Sequence, residues 1–508
     1  MPKLNRVIIC LGLLPVDVVL RIMGPRYWLF FWFLASAPPS LVAWVGRLQA
    51  IRAGDHAARK VPAYQAFLKS HGVASADMDR LRLPPMDKGN YINVFRPEER
   101  CVNGVLPLTE TAIDESSGST GTPYNWIRSM KERHVSHLVI SHFTRYCFGD
   151  EPWITINAFS MGAWATGVNM GIALQRNSTV KNTGPDMDKI FNTLQFFGTG
   201  YRYLVCGYPP FLKHLIDVAR ERRFPLEQYR LMALLGGEGN SEGLRDYLLR
   251  YFRPVYSGYG ATDIEVGLGG ETSVSLAIRR EARGNDRLRQ AVFGSVTRLP
   301  MLFQYNPLAH HIVVNELGEL ILTITRLNVL SPRIMYNIHD EGGVVTYTEM
   351  RRRLQIIGVR IEDLVAKTGK RAIRLPFVWV YGRKDSTVSV MGANIYPEDV
   401  EQCLYAEPEL AEATHSFCLS LHEGSEGSVR PCFSFEIAGH ISPALQRSFE
   451  KRITERLRSL NADFREAMKE YPGSATPIIE LCPLGGGPFA GDASKIKQTR
   501  IFRQGARA

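Results

Sequence analysis

The segment Ser116-Ser117-Gly118-Ser119-Thr120-Gly121-Thr122-Pro123 gathers more polyanion-binding chemistry than any other stretch of this 508-residue chain. Its glycines let the backbone approach a bound group closely, and successive N–H groups in such a turn can form an anion-binding nest. The hydroxyls of Ser117, Ser119, Thr120 and Thr122 can add hydrogen bonds to phosphate oxygens. No Gly-Lys-Ser/Thr follows, so the segment is not a Walker loop. Taken alone, a Ser/Gly/Thr run is also what a flexible turn looks like. Metal chemistry has little to stand on elsewhere. The eight cysteines are scattered without the spacing of a zinc knuckle or redox motif, and His310-His311 would face opposite sides of a strand.

The loop gains meaning from its company. Ser-Ser-Gly-Ser-Thr-Gly-Thr-Pro resembles the phosphate loop of the adenylate-forming superfamily, which includes acyl-CoA synthetases, luciferases and peptide-synthetase adenylation domains. On that resemblance Ser117, Gly118, Ser119, Thr120, Gly121 and Thr122 hold phosphates. The superfamily often has Lys after the proline; Tyr124 stands there in this chain. Further motifs follow in the family's order. Gly236-Gly237-Glu238 resembles the turn against adenine, with Gly237 and Glu238 as nucleotide contacts. Ser257-Gly258-Tyr259-Gly260-Ala261-Thr262-Asp263 resembles Tyr-Gly-x-Thr-Glu. Its Tyr259 stacks on adenine, Gly260 and Thr262 serve the nucleotide, and Asp263, one methylene shorter than the usual Glu, serves magnesium. Glu265 is the substitute carboxylate should Asp263 be too short. Gly318-Glu319-Leu320 resembles a strand signature, and the segment from Pro332 ends in Asp340, whose two oxygens suit a ribose diol. Arg383 corresponds to a nucleotide contact, Asp385 to the hinge, and Lys495, in Ala493-Ser494-Lys495-Ile496-Lys497, to the adenylation lysine. Lys60-Val61-Pro62-Ala63-Tyr64, the glycine-rich run Met161 to Gly171 and Leu460-Asn461-Ala462-Asp463-Phe464 resemble the phenylacetate–CoA ligase branch.

The resemblance implies attack of a small carboxylic acid on the α-phosphate of ATP, with magnesium, to give acyl-AMP and pyrophosphate. Transfer to a thiol follows, coenzyme A being the commoner acceptor. A carrier protein or an amine is the alternative acceptor, and a membrane-associated nucleotide-binding scaffold without catalysis is the alternative of another class. Such a reaction needs positioning and charge neutralisation more than covalent help. Lys495 would bridge carboxylate and α-phosphate, and rotation about Asp385 would then remove it. Phe159, Met161, Trp164 and Tyr208 are candidate walls of the acid pocket. Neither the acid nor the oligomeric state, a homodimer included, is decided.

These residues need a scaffold. Apolar strand-like runs at Trp153–Ile156, Tyr203–Cys206 and Leu231–Leu235 alternate with helix-like runs such as Phe211–Arg223. That alternation predicts an α/β body of mixed sheets and helices. A smaller, mobile α+β domain is expected from residue 383 to 508, with helices at Pro397–Tyr405 and Pro443–Leu460 and strands at Ser416–Ser420, Cys432–Ile437 and Pro477–Leu481. The ATP-binding domain would cover 55–382, with a helix stopped at Pro62 near its start. The composition, 45% hydrophobic and 22% charged, is ordinary for a globular chain. A net charge of +11 suits ATP, coenzyme A or an anionic membrane. The basic runs lack interleaved aromatics, which argues against a nucleic-acid partner. Scattered cysteines and ATP use point to the cytoplasm.

Residues 1–54 are different. Between residues 7 and 46 the text is strongly apolar, broken by Pro15, Asp17, Arg21 and Pro38-Pro39. Those breaks oppose a transmembrane span and a signal peptide alike. Two readings stay open: helices docked on the main body, or a segment lying in a membrane interface, where the basic and aromatic residues would be at home.

Overall fold

The computed structural model describes residues 3–116, 124–163, 165–294, 298–366, 368–370, 372–383, 388–390, 393–423, 429–470, 472–490 and 500–502. The chain opens with helices α1 (Lys3–Met23), α2 (Tyr27–Ser36) and α3 (Pro39–Lys60). Helix α1 runs through both Pro15 and Asp17. An interior proline costs a helix about 3 kcal/mol, and tertiary packing offsets it: Leu13 is buried with Val42, Val45 and Leu308. Asp17 is neutralised by Arg52 of α3 through two hydrogen bonds of 2.6 and 2.9 Å. Helix α3 crosses the expected boundary at residue 54 without a break, its buried face continuing through Ala50, Ala53 and Ala57. It stops at Lys60, and Pro62 then starts a new helix, Pro62–Ser70, in the first-turn position where its missing N–H costs nothing.

Strands β1 (Thr111–Glu115) and β2 (Asn125–Ser129) form an antiparallel hairpin. Next come β3 (Ile154–Asn157) and β4 (Thr179–Asn182), parallel, with the helix Ala165–Leu174 between them. Likewise β5 (Arg202–Gly207) and β6 (Arg230–Leu235) are parallel around the helix Pro209–Glu221. Seven longer-range strands follow: β7 (Phe252–Ala261), β8 (Glu265–Gly270), β9 (Met301–Tyr305), β10 (His310–Val314), β11 (Glu319–Ile324), β12 (Tyr336–Val345) and β13 (Phe377–Arg383). They pair in the order β10-β11-β12-β13-β9-β8-β7. Finally come the hairpin β14 (Val388–Val390)/β15 (Ala393–Ile395) and the sheet of β16 (Thr414–Glu423), β17 (Val429–Ile437), β18 (Ile478–Pro483) and β19 (Ile501–Phe502), ordered β18-β17-β16-β19.

The chain divides into two compact units. One comprises Met1–Gly184, Tyr256–Gly294 and Pro300–Tyr381; the other comprises Pro185–Val255, Ser295–Leu299 and Gly382–Ala508. In the first, Tyr64, Phe67, Met86, Trp126, Leu322 and Tyr336 share one core with α3. In the second, Phe433 and Phe435 of β17 pack with Phe449, Ile453 and Leu457 of the helix Pro443–Leu460. Both units mix helices with parallel and antiparallel strands, so the expected α/β class holds. The described cysteines are buried, apart from a half-buried Cys10.

Helix α3 meets the body so closely at Gly46 that a Cβ there would lie 2.2 Å from the Pro307 carbonyl oxygen. Backbone cannot yield as a flexible side chain can. Gly46→Ala is expected to destabilise the protein by about 1–3 kcal/mol, read as a lower urea midpoint; an unchanged midpoint would contradict this packing.

Candidate functional site

The Ser/Gly/Thr segment lies, in sequence, between β1 and β2, which pair as an antiparallel hairpin. Its base is closed by the Ser116 N–H donating to the Tyr124 carbonyl at 3.0 Å and the Tyr124 N–H donating to Ser116 Oγ at 3.1 Å. Ser117, Gly118, Ser119, Thr120, Gly121 and Thr122 lie outside the described residues, as do Trp164, Asp385 and Lys495; of Arg383 only the backbone is described.

A second hairpin, β7–β8, carries the Tyr-Gly-x-Thr-Asp residues. Ala261 pairs with Glu265, which leaves Thr262, Asp263 and Ile264 as the turn. The two strands approach so closely that a Cβ on Gly260 would sit 2.1 Å from the Val266 carbonyl oxygen; glycine is required there by packing. Two arginines hold the carbonyls of this turn. Arg128 Nη2 donates to Thr262 O at 2.5 Å, and Arg333 Nε donates to Asp263 O at 3.1 Å. Arg128 belongs to β2, so it ties the base of the phosphate-loop hairpin to the turn of the other.

The Tyr259 ring stacks on Phe303, with centroids 5.4 Å apart and planes 13° from parallel. Its hydroxyl donates to Asp340 Oδ2 at 2.8 Å. Two residues matched to adenine and ribose contacts, 81 positions apart, are therefore in direct contact. Asp263 Oδ2 accepts from the Tyr336 hydroxyl at 3.1 Å and pairs with Lys88 Nζ at 3.0 Å. Burial, and then the negative charge of Asp263, push the Tyr336 phenol well above its ordinary range, so it stays a donor. The same ammonium lies 5.0 Å from the centre of the Tyr124 ring. Lys88 thus brings a cation beside Tyr124, next to the base of the β1–β2 hairpin. Nothing around Met86-Asp87-Lys88 in the sequence marks this contact; the one sequence signal is the tyrosine at position 124, where the resemblance leads one to expect a lysine.

Magnesium can be tested against this donor set. It is usually held by one or two carboxylates together with substrate phosphates, and Asp263 offers such a carboxylate beside the phosphate-loop hairpin. The residues fit. Glu265 has a different role: it is buried, accepts from Arg326, and contacts His310 Nε2 at 2.9 Å. Burial alone would raise its pKa, but Arg326 and the His310 hydrogen bond outweigh that and hold the carboxyl far below the usual range. With His310 turned to Glu265, the adjacent His311 is half-buried, its pKa lowered to about 4 by desolvation and then by the charge of Arg47; the two rings face different partners.

Beneath the hairpins lies a buried polar cluster. Arg128 Nε donates to Asp114 Oδ2 at 3.0 Å, Asn169 Nδ2 to Asp114 Oδ1 at 3.2 Å, and Arg133 Nε to Asn169 Oδ1 at 3.0 Å. Asn169 comes from the glycine-rich run. In the same run a Cβ on Gly167 would lie 2.0 Å from Ser160 O, and one on Gly171 2.4 Å from Asn182 Oδ1. The helix of this run therefore packs so closely against the Ser160 backbone and the Asn182 side chain that glycine is needed at both positions. Of the candidate pocket walls here, Phe159 is 2% exposed and Met161 half-buried.

In the second unit, Gly237 has φ +81°, and a Cβ there would lie 2.4 Å from the Tyr208 ring. The expected adenine-side glycine and one expected pocket wall thus touch. Glu238 follows in this turn, half-buried. Asn461 explains the C-terminal signature: its Oδ1 caps the next helix at Phe464 N, 2.9 Å, while its Nδ2 donates to Asp399 at 2.9 Å.

No protein-family model and no curated protein sequence matches this chain. Solved structures do. The 2-hydroxyisobutyryl-CoA ligase in the postadenylation state, in complex with R3-HIB-AMP, superposes with a TM-score of 0.67 at 12% identity, over 93% of this chain and 91% of that one. Its complex with 2-HIB-AMP gives the same values. The same ligase with 2-HIB-AMP and CoA in the thioesterification state gives 0.54 at 13% identity over the same shares. The chain has the fold of these AMP-forming acyl-CoA ligases.

The charge pairing of Glu265 sets a pH test. A carboxyl whose folded pKa lies below its unfolded value of 4.5 contributes stability that is present above that pH and lost as pH falls towards the folded value. Glu265→Gln should therefore lower the urea midpoint clearly at neutral pH, and the gap to wild type should narrow as pH falls below about 4.5. A gap independent of pH would show that the pairing contributes nothing.

Proposed function

We propose that this protein is an ATP-dependent acid–thiol ligase of the phenylacetate–CoA ligase type, which converts a carboxylic acid to its acyl-AMP with release of pyrophosphate and passes the acyl group to coenzyme A. The observation that carries the reading is the Tyr259–Asp340 hydrogen bond. Base and ribose are covalently joined in a nucleotide, so residues that recognise them must be neighbours in space; these two are, at 2.8 Å. Phe303 and Asp340 hold the Tyr259 ring in one plane, as a stacking platform requires.

The chain's own cations do the electrostatic work. Negative charge accumulates on the phosphates as the acid carboxylate attacks the α-phosphate, and fixed donors that meet it need no reorganisation. Lys88 is held by Asp263 and Tyr124 beside the phosphate-loop hairpin, and supplies the ammonium that Tyr124 does not. Asp263 would hold magnesium, which when bound neutralises charge on the phosphates. Lys495 would bridge the acid and the α-phosphate. Fold likeness to ligases whose complexes contain acyl-AMP and CoA supports the thiol acceptor. A cytoplasmic location goes with the reading, since ATP and coenzyme A are found there.

ATP–pyrophosphate exchange against a panel of aryl, arylacetic and fatty acids is the direct test. Acid-dependent exchange should appear in the wild type and collapse in Lys495→Ala. Lys88→Met should lower kcat/KM by about 100-fold, the loss typical of one transition-state donor. Asp263→Asn should abolish the magnesium-dependent part of ATP affinity in a binding titration. Folded protein that binds ATP yet exchanges pyrophosphate with no acid would overturn the proposal.

A further inference from the structure

Helix α1 has two apolar stripes. Ile9, Leu13, Val16 and Leu20 recur at helical spacing and pack against α3 and Leu308. On the other side Val7, Leu11, Leu14, Val18 and Ile22 recur at the same spacing and are exposed, Leu11 by 60%. A surface helix of a soluble domain carries polar residues on its outer face; one that is apolar all round needs an apolar environment on both sides. The pattern continues in the next two helices. While Phe30 and Leu34 of α2 are buried against Ile373 and Leu375, Trp28 and Trp32 are 64% and 57% exposed. Trp44 of α3 is 58% exposed while Val42 and Val45 are buried. Among the described residues, every exposed tryptophan lies in this segment.

Charge selects the partner. Residues 1–54 hold six basic residues and a single acid, Asp17, a net of +5. Asp17 is already bridged by Arg52, while Arg21, Arg26 and Arg47 are exposed. A second copy of the same surface would bring like charges together, which disfavours an isologous contact. Anionic headgroups complement both features, with tryptophan at the headgroup level and aliphatic side chains below it. Among the described residues no single helix is long and apolar enough to cross a membrane, and α2 and α3 are bent by 110°.

We propose that the outer faces of α1–α3 seat the protein on the interface of a bilayer containing anionic phospholipid, with their inner faces docked on the enzyme body. The surface is thus a monotopic anchor, independent of the activity proposed above.

Flotation of the full-length protein with vesicles tests it. Phosphatidylcholine vesicles containing about 30% phosphatidylglycerol should bind at least about tenfold more protein than pure phosphatidylcholine, since each surface arginine favours the anionic membrane. High salt should reduce that binding. Substituting Trp28, Trp32 and Trp44 together by serine should leave the protein unbound, with its melting temperature and ATP binding unchanged. As a second variant, Arg21→Glu/Arg26→Glu/Arg47→Glu should remove the preference for anionic lipid. The proposal is overturned if the wild type binds neither vesicle, if both variants bind as the wild type does, or if the tryptophan variant only converts a dimer to a monomer.

Discussion

The guanidinium of Arg128 is the constraint on which the two paired hairpins of the first unit depend. From one position on β2 it is bound to Asp114 on the neighbouring strand and to the Thr262 carbonyl in the turn of a hairpin 134 positions away, and lies 3.6 Å from Glu132. A charge this deeply buried is tolerated only where its partners satisfy it; loss of one partner of such a pair typically costs about 3–5 kcal/mol. The same expense fixes geometry. Because Arg128 cannot give up any of these bonds cheaply, the base of the β1–β2 hairpin and the Thr262-Asp263 turn are set in one frame. Asn169 and Arg133 complete the cluster around Asp114, so the glycine-rich helix joins that frame too.

Charge balance on the exposed side of this frame follows from it. Arg333, fully buried, has its pKa pushed down to about 10 by burial, with Arg128 and Arg100 adding to the fall and Tyr336 and Tyr91 opposing it, and spends its Nε on the Asp263 carbonyl. The Asp263 side chain is left to Tyr336 and Lys88. Of the two carboxylates near the turn, the longer Glu265 is therefore held by Arg326 and His310, and the shorter Asp263 by Tyr336 and Lys88. Burial beside Arg326 and the His310 hydrogen bond separates their surroundings more firmly than side-chain length does.

Much of this was legible in the sequence, and for local reasons. Pro397–Tyr405 and Pro443–Leu460 are helices within the predicted bounds, since each begins with proline in the first turn and carries its apolar residues at helical spacing. The runs expected at β3, β5, β6, β16, β17 and β18 are strands because each is a short apolar run bounded by turn residues. Tyr259 and Asp340 were found as motifs, yet their contact was not, because it joins distant strands. Lys88 was invisible for the same reason: an isolated lysine acquires meaning only when folding places it at Asp263. The composition shift at residue 54 falls inside α3, where it marks a change of surroundings along the helix and not a change of element.

The N-terminal helices show why composition could not separate docking from membrane contact. Both demand the same residue types, and in α1 a buried and an exposed apolar stripe run at the same period, offset around the helix. Ile9, Leu13, Val16 and Leu20 serve the body; Val7, Leu11, Leu14, Val18 and Ile22 do not. A hydropathy average sees one apolar stretch, interrupted by Pro15, Asp17 and Arg21. Resolved by face, the interruptions make sense. Asp17 is absorbed by Arg52 on the docked side, and Arg21 is exposed at the end of the outer stripe. The two readings are consequently not rivals: the inner stripe fixes the helix to the body, and only a helix so fixed can hold its outer stripe as a rigid face.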